Sequence, residues 1–282
     1  MAEGRMSVRV QSSNIFRQAK SKAKLLLRQV SKRHCTQALI TADLRALGVR
    51  GGETLLVHSS LSALGYVEAG AKTVIAALLD AVGPEGTLVL PTHSWSQMSK
   101  GCRRFDAAAT PSCVGTISEF FRTMPGVVRS LHPTHSMAAI GPLADTPCGW
   151  GTPYERIMES NGQILFGGVT LQVNTAFHGI KAMGGVDYLM RDEPDNFQII
   201  DVTGKERAVT LRRHRSKIPR RFAEMEGLLA AERILQRGSF CGGESRIVAA
   251  RPMRDFFISR LKEDPKFLLD QKRLSHHYET TS

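Results

Sequence analysis

The sequence predicts an α/β fold: a mainly parallel or mixed sheet with helices on both faces and a late antiparallel hairpin. Three observations carry that expectation. Short apolar runs, TLLVHSS (Thr54 to Ser60), TLVLPTH (Thr87 to His93) and ILFGG (Ile164 to Gly168), have the length of buried strands. Amphipathic stretches separate them, and alternating strands and helices imply crossovers within one sheet. Further on, FQIIDVT and RAVTLRR flank Gly204 and read as an antiparallel hairpin.

Taken in order, Leu39 to Leu47 reads as a helix broken by Gly48 and the Gly51-Gly52 pair. The strand at Thr54 follows. Lys72 to Val82 is an amphipathic helix stopped by Gly83-Pro84, and the strand at Thr87 comes next. Val114 to Thr123 forms a helix that Pro125-Gly126 ends. MAAIG (Met137 to Gly141) and ILFGG are short strands with helical segments between and after them. After the hairpin, Ile218 to Gln236 reads as one long helix and SRIVAAR as a last strand. Residues 1–35 are expected to be a basic helical extension, 36–269 a single domain and 270–282 a loose polar tail.

The chain has 282 residues, 42% hydrophobic and 23% charged, ordinary for a globular protein with a sizeable core. No apolar run is long enough to cross a bilayer, and no secretory signal is evident, so a cytoplasmic location is expected. Five cysteines at irregular spacing argue against a disulfide framework or zinc cluster and for a reducing compartment. His132 and His135 are the closest candidate metal pair, but Pro133 makes a helix there unfavourable and no acid is near, so no metal is expected. Of the formal charge of +12, residues 1–33 carry +8. Arg17, Lys20, Lys24 and Arg28 share one helical face there, over a rough apolar stripe. Such a helix suits an anionic membrane surface or a phosphate-rich partner, giving a peripheral membrane contact, or it packs on its own body or a second subunit. Recognition motifs and stacking aromatics for specific nucleic-acid binding are missing.

The chemistry-bearing residues cluster after strands. VNTAFHGIK places His178 just beyond an Asn-Thr pair suited to capping a helix, a good mount for a general base. HSSLSALG (His58 to Gly65) follows the first strand with hydroxyls and backbone N–H groups suited to a phosphate or an oxyanion. RSLHPTHS (Arg129 to Ser136) packs a cation, two histidines and hydroxyls into eight residues. FDAAATPS places Asp106 before a helix start, where plain turn chemistry is the competing reading. A P-loop, a G-x-G-x-x-G after a strand and a G-x-S-x-G elbow are all absent, which weighs against nucleotidase, dinucleotide and α/β-hydrolase readings.

Six segments in register, LLVHSSLSALG, AVGPEGTLVLPTH, FDAAATPS, RSLHPTHSMAAIGPLA, GTPYERI and ILFGGVTLQVNTAFH, resemble the aminoglycoside 3-N-acetyltransferase family, from about Thr36 to Leu261. The resemblance implies the antibiotic acetyltransferase-like fold and acetyl transfer from acetyl-CoA to an amine, with no metal. It implies His178 as catalytic base. His58, Ser59, Ser60, Leu61 and Gly65, with Arg129, Ser130 and His132, become the candidate oxyanion and coenzyme-facing residues, Arg129 meeting a phosphate. Asp106, Lys181, Arg213 and His214 are the candidate acceptor-side residues.

Two positions depart from the family. Its H-x-x-E pattern puts a glutamate where this chain has Lys181, and an acid commonly precedes the later histidine where Arg213 precedes His214. Cations facing a polycationic acceptor would repel it, so the leading expectation is an acceptor other than an aminoglycoside, such as an amino sugar or anionic amine. The alternatives are a genuine aminoglycoside 3-N-acetyltransferase conferring resistance, and an inactive binding protein acting through its basic N-terminal helix. Asp187, Glu224 and Glu226 remain open as the acid orienting His178, and oligomer formation is open too.

Overall fold

The computed structural model describes residues 34–99, 101–145, 153–186, 188, 190–215 and 219–271. The basic helix expected within residues 1–33 and most of the polar tail lie outside them. A mixed sheet of seven strands runs in the order β11 (Leu235–Phe240), β12 (Gly243–Ala249), β8 (Gln163–Gly167), β2 (Thr54–Ser59), β4 (Thr87–Pro91), β7 (Met137–Ile140) and β6 (Val128–Arg129). Parallel pairing is confined to its centre, β8 with β2 and β2 with β4; the flanking pairs are antiparallel.

The central strands read as apolar runs because both faces are covered. Leu55, Val57, Leu88 and Leu90 pack with α1 (Gln37–Ala46), α2 (Ala71–Val82) and α4 (Thr116–Arg122), the short α3 (Trp95–Ser99) falling between the last two in sequence. Leu56, Val89, Ile164 and Phe166 point the other way, toward α5 (Pro153–Glu159), α6 (Ala176–Met183), α7 (Met225–Ala231) and α8 (Ala250–Glu263). The two-residue period of a strand sorts neighbours into these two cores. Helix α2 buries Ala71, Val74, Ile75, Leu78 and Val82 as one stripe and stops at Gly83, whose φ of 67° favours glycine.

A second sheet places β9 (Asp195–Ile200) between β10 (Glu206–Leu211) and β5 (Arg104–Asp106). The hairpin across Gly204 forms as expected, with Glu206 opposite Ile200. Its parallel pairing to β5 was not expected; Phe105, Phe197, Ile199 and Met98 give this sheet its own small core.

Three sequence expectations change. The long helix over 218–236 is instead a 3-10 turn (Phe222–Glu224), the seven-residue α7 and then β11. The chain leaves α7 through Arg233, which takes a left-handed φ of 57°. Helix α8 was not anticipated; Met253, Phe257 and Leu261 anchor it at helical spacing. Cys35, expected to remain a thiol in the extension, lies in β1 (His34–Cys35), paired to β3 (Tyr66–Val67), and forms a disulfide with Cys241. Their Cα atoms are 5.7 Å apart, and Asp43 accepts the Cys241 N–H at 2.8 Å, holding the β11–β12 turn against α1. The bridge joins residues 206 positions apart.

Candidate active site

Five histidines from four separate segments converge at the ends of the central strands. His93 follows β4, His132 and His135 come from the loop joining β6 to β7, His178 sits in the first turn of α6, and His214 lies just beyond β10. The His135 ring is central, 4.9 Å from His93, 5.7 Å from His132, 5.4 Å from His214 and 6.4 Å from His178. His178 and His214 stack face to face at 4.5 Å.

Each ring is placed by local chemistry. The Asn174 side-chain oxygen accepts the Ala176 N–H at 3.1 Å and starts α6, so His178 projects from a fixed helix end. The Tyr154 hydroxyl on α5 donates to Thr175 and contacts His93 Nε2 at 3.2 Å. His132 Nδ1 accepts the N–H groups of Thr134 and His135, which leaves the proton on its Nε2. The Met190–His214 bridge and the Arg191 N–H to Arg213 carbonyl bond pin the strand that carries His214.

Four of the five rings, all but His93, wall a cleft of about 150 Å³ lined by His132, Thr134, His135, Tyr154, Thr175, His178, Gly179, Ala182, Met190, Arg212, Arg213 and His214. Burial holds all five imidazoles below their ordinary range: His93 to about 3, His132 and His214 to about 4, and His135 and His178 well down. For His178, burial dominates, and His214, Lys181, Arg220 and His93 add to it. The cluster is therefore neutral at physiological pH, and a neutral imidazole can take a proton. His178 is only 6% exposed, and its Nδ1 is buried without a hydrogen-bond partner. Among the described residues, no group of three or more His, Cys, Asp or Glu could hold a metal ion.

The expected site residues divide. His132, His178, Arg213 and His214 meet in the cleft. His58 stacks on Phe166 at 5.2 Å at the end of β2, buried and held to about 3, close enough to influence His93. Ser59, Ser60, Leu61 and Gly65 do not line the cleft. The Ser60 N–H is committed to the Gly167 carbonyl at 3.2 Å and its hydroxyl meets that of Ser62, while Leu61 packs on the first core. This loop lies against Gly168, where an added Cβ would approach that of Ala63 to 2.9 Å.

Arg129 is not placed to meet a coenzyme phosphate. It is 5% exposed and donates to the carbonyls of Ala107, Thr110 and Thr92 and to the Ser136 hydroxyl, tying β5, β4 and the histidine loop together. Ser130 is buried too, accepting the Met137 N–H. Replacing Arg129 with Met should leave several buried carbonyls unpaired and lower unfolding free energy by about 3 kcal/mol. Urea titration reads this; a rise in the Michaelis constant for acetyl-CoA with unchanged stability would instead restore the phosphate role.

The acceptor-side expectations also change. Asp106 builds a turn, its carboxylate accepting the N–H groups of Ala108 and Ala109, away from the cleft. Lys181 is buried and does not line the wall. Arg213 lines it, but pairs with Asp195, which also holds Arg103 at 3.0 Å. Of the two cations expected to face the acceptor, one is thus buried off the wall and the other is tied to a carboxylate that it shares with Arg103. Of the candidate orienting acids, Glu226 is occupied by Arg246 and the Leu171 N–H, Glu224 is exposed, and Asp187 lies outside the described residues.

His93 and Tyr154 are not marked as site residues by the sequence, and His135 is marked only as a possible metal partner of His132, although each falls in a segment that carries the resemblance.

Residues 56–262 match a family model described as aminoglycoside 3-N-acetyltransferase. Aminoglycoside N(3)-acetyltransferase III of Salmonella sp is 37% identical over 54% of this chain and 62% of its own length. Aminoglycoside N(3)-acetyltransferase VII of Streptomyces paromomycinus is 29% identical over 81% of this chain and 92% of its own. The chain thus spans about 62% of the length of the first of these relatives. A structure of a mutant of aminoglycoside acetyltransferase AAC(3)-IVa in complex with a gentamicin superposes with a TM-score of 0.74 at 29% identity, covering 85% of this chain and 93% of the other.

Proposed function

This chain belongs to the aminoglycoside 3-N-acetyltransferase family, and from that premise we propose that it moves the acetyl group of acetyl-CoA directly to an amino group of an aminoglycoside. The observation that carries the proposal is His178: a neutral imidazole on a rigid helix start, facing a cleft roomy enough for part of an amino sugar.

An ammonium has no lone pair and cannot attack a thioester. His178 accepts a proton from the incoming nitrogen, which forms its bond to the acetyl carbon as the carbonyl becomes an oxyanion. Collapse breaks the carbon–sulfur bond, the thiolate takes a proton, and the products are the N-acetyl amine and free CoA. Tyr154, Thr134 and Thr175 place hydroxyls along the same cleft and can orient the acceptor.

The relatives' names support an aminoglycoside acceptor. The expectation of a non-aminoglycoside acceptor rested on Lys181 and Arg213 facing the acceptor; Lys181 does not line the cleft and Arg213 is engaged by Asp195, so neither meets the acceptor as a free cation. Neither a role for the basic segment at residues 1–33 nor a membrane contact gains support, because those residues lie outside the described ones. No described helix is long and apolar enough to cross a membrane.

A thiol-release assay against a panel of amines tests the proposal. Gentamicin-class polyamines are expected to release CoA with saturation. Release with simple or anionic amino sugars but none with any aminoglycoside would overturn the acceptor assignment.

A further inference from the structure

Lys181 lies three residues beyond His178 on α6, close to one helical turn along the same face. It is 1% exposed and outside the cleft wall. Its ammonium lies 5.2 Å from the centre of the Phe222 ring and 5.6 Å from that of Tyr188. The Arg220 guanidinium lies over the same Phe222 ring at 5.8 Å. No ion pair joins Lys181 to an acid among the described residues. A buried ammonium beside a second cation is costly to keep, and a methionine would fill similar space without that cost.

We propose that Lys181 is a positioning residue for acetyl transfer: its ammonium acts through the adjacent His178 ring and keeps a proton off the base in mildly acidic solution. The inference rests on the reading of His178 as general base.

The signs agree. Burial first, and Arg220 second, draw Lys181 down to about 7. Below that pH the ammonium is charged, and this is the range in which an ordinary imidazole, with a pKa of about 6.5, would protonate and cease to be a base. A like charge nearby opposes that second proton. Above it Lys181 becomes neutral, and the imidazole needs no protection there. The remaining groups facing His178 are His214, Arg220, His93 and His135. Burial keeps the three histidines neutral, so Lys181 and Arg220 are the charges that act, and Lys181 alone changes its charge near neutrality. A glutamate at this position would raise the basicity of His178 instead.

The test follows the His178 ring protons by NMR against pH in the full chain without substrates, beside the pH profile of kcat/KM. In the unaltered protein the ring signal should show a second inflection near pH 7 from the neighbouring lysine. Lys181→Met should abolish that inflection and move both the His178 titration and the acid limb of kcat/KM upward by about one pH unit; Lys181→Glu should move them further. An unaltered-protein titration with no inflection near 7, or an acid limb that stays in place in both variants, would overturn the proposal. The base assignment fails separately, if His178→Ala retains full transfer. In that case the ring titration still reports whether Lys181 acts on His178.

Discussion

Substituting His178 with alanine should lower kcat for acetyl transfer by about 10²–10⁴-fold while acetyl-CoA binding, measured by calorimetry, stays unchanged. The size follows from the role. Without an imidazole, the attacking nitrogen must lose its proton to water or to a neighbouring ring that is not aligned with it. His214 stacks on His178 at 4.5 Å, so its ring sits displaced from the position that takes the acceptor proton. It is a poor substitute. His178 Nδ1 makes no hydrogen bond, so the alanine variant leaves no partner of that atom unpaired. Truncating a ring that is only 6% exposed opens a cavity, however, and turnover is read beside the unfolding free energy of the same variant. Equal losses of turnover and acetyl-CoA affinity would assign His178 to the donor site or to folding.

Glu226→Ala should have the largest effect on stability, a loss of about 3–5 kcal/mol. The Glu226 carboxylate is buried, accepting from the Arg246 guanidinium at 2.8 Å and from the Leu171 N–H at 3.1 Å. Arg246 on β12 is itself buried. Removing the acid leaves that cation without its principal partner and frees the turn that leads from β8 into the His178 helix. Glu226→Gln should cost less, because an amide keeps shape and one hydrogen bond. Urea unfolding of the two variants decides the matter; a loss below about 1 kcal/mol for the alanine variant would mean that the pair is solvated and contributes as a surface bridge does.

Local chemistry made much of the fold legible. TLLVHS, TLVLP and QILFG are apolar runs too short for helices, and the structure places them side by side as β2, β4 and β8. The hairpin was marked by Gly204, and the start of α6 by Asn174. The stretch after Pro219 was not legible, because its apolar residues serve a short helix and then an edge strand whose only buried positions are Leu235 and Phe240. Phe222, Met225 and Leu229 keep three- and four-residue steps, and a strand whose middle faces solvent shows no alternation to mark where the helix ends.

The site divides along the same line. His178 could be found because its cap and strand are adjacent in sequence. The histidine cluster could not, since His93, His135, His178 and His214 are brought together by β4, the β6–β7 loop, α6 and the strand past β10. Arg129, Asp106 and Lys181 show the converse failure. Each sits in a chemically suggestive segment, but their partners are backbone carbonyls, turn N–H groups and aromatic faces. Whether a charge meets a ligand or the protein itself is decided by tertiary contacts, which spacing does not encode.

The central claim is that an acceptor amine sits beside the neutral ring of His178 within the histidine cleft. A crystal structure of the His178→Asn variant with CoA and gentamicin tests it most directly. One acceptor nitrogen is expected within about 3.5 Å of the position 178 side chain, between the coenzyme sulfur and the His132–His135 loop. An acceptor bound elsewhere, with position 178 closed off behind the ring of His214, would contradict it.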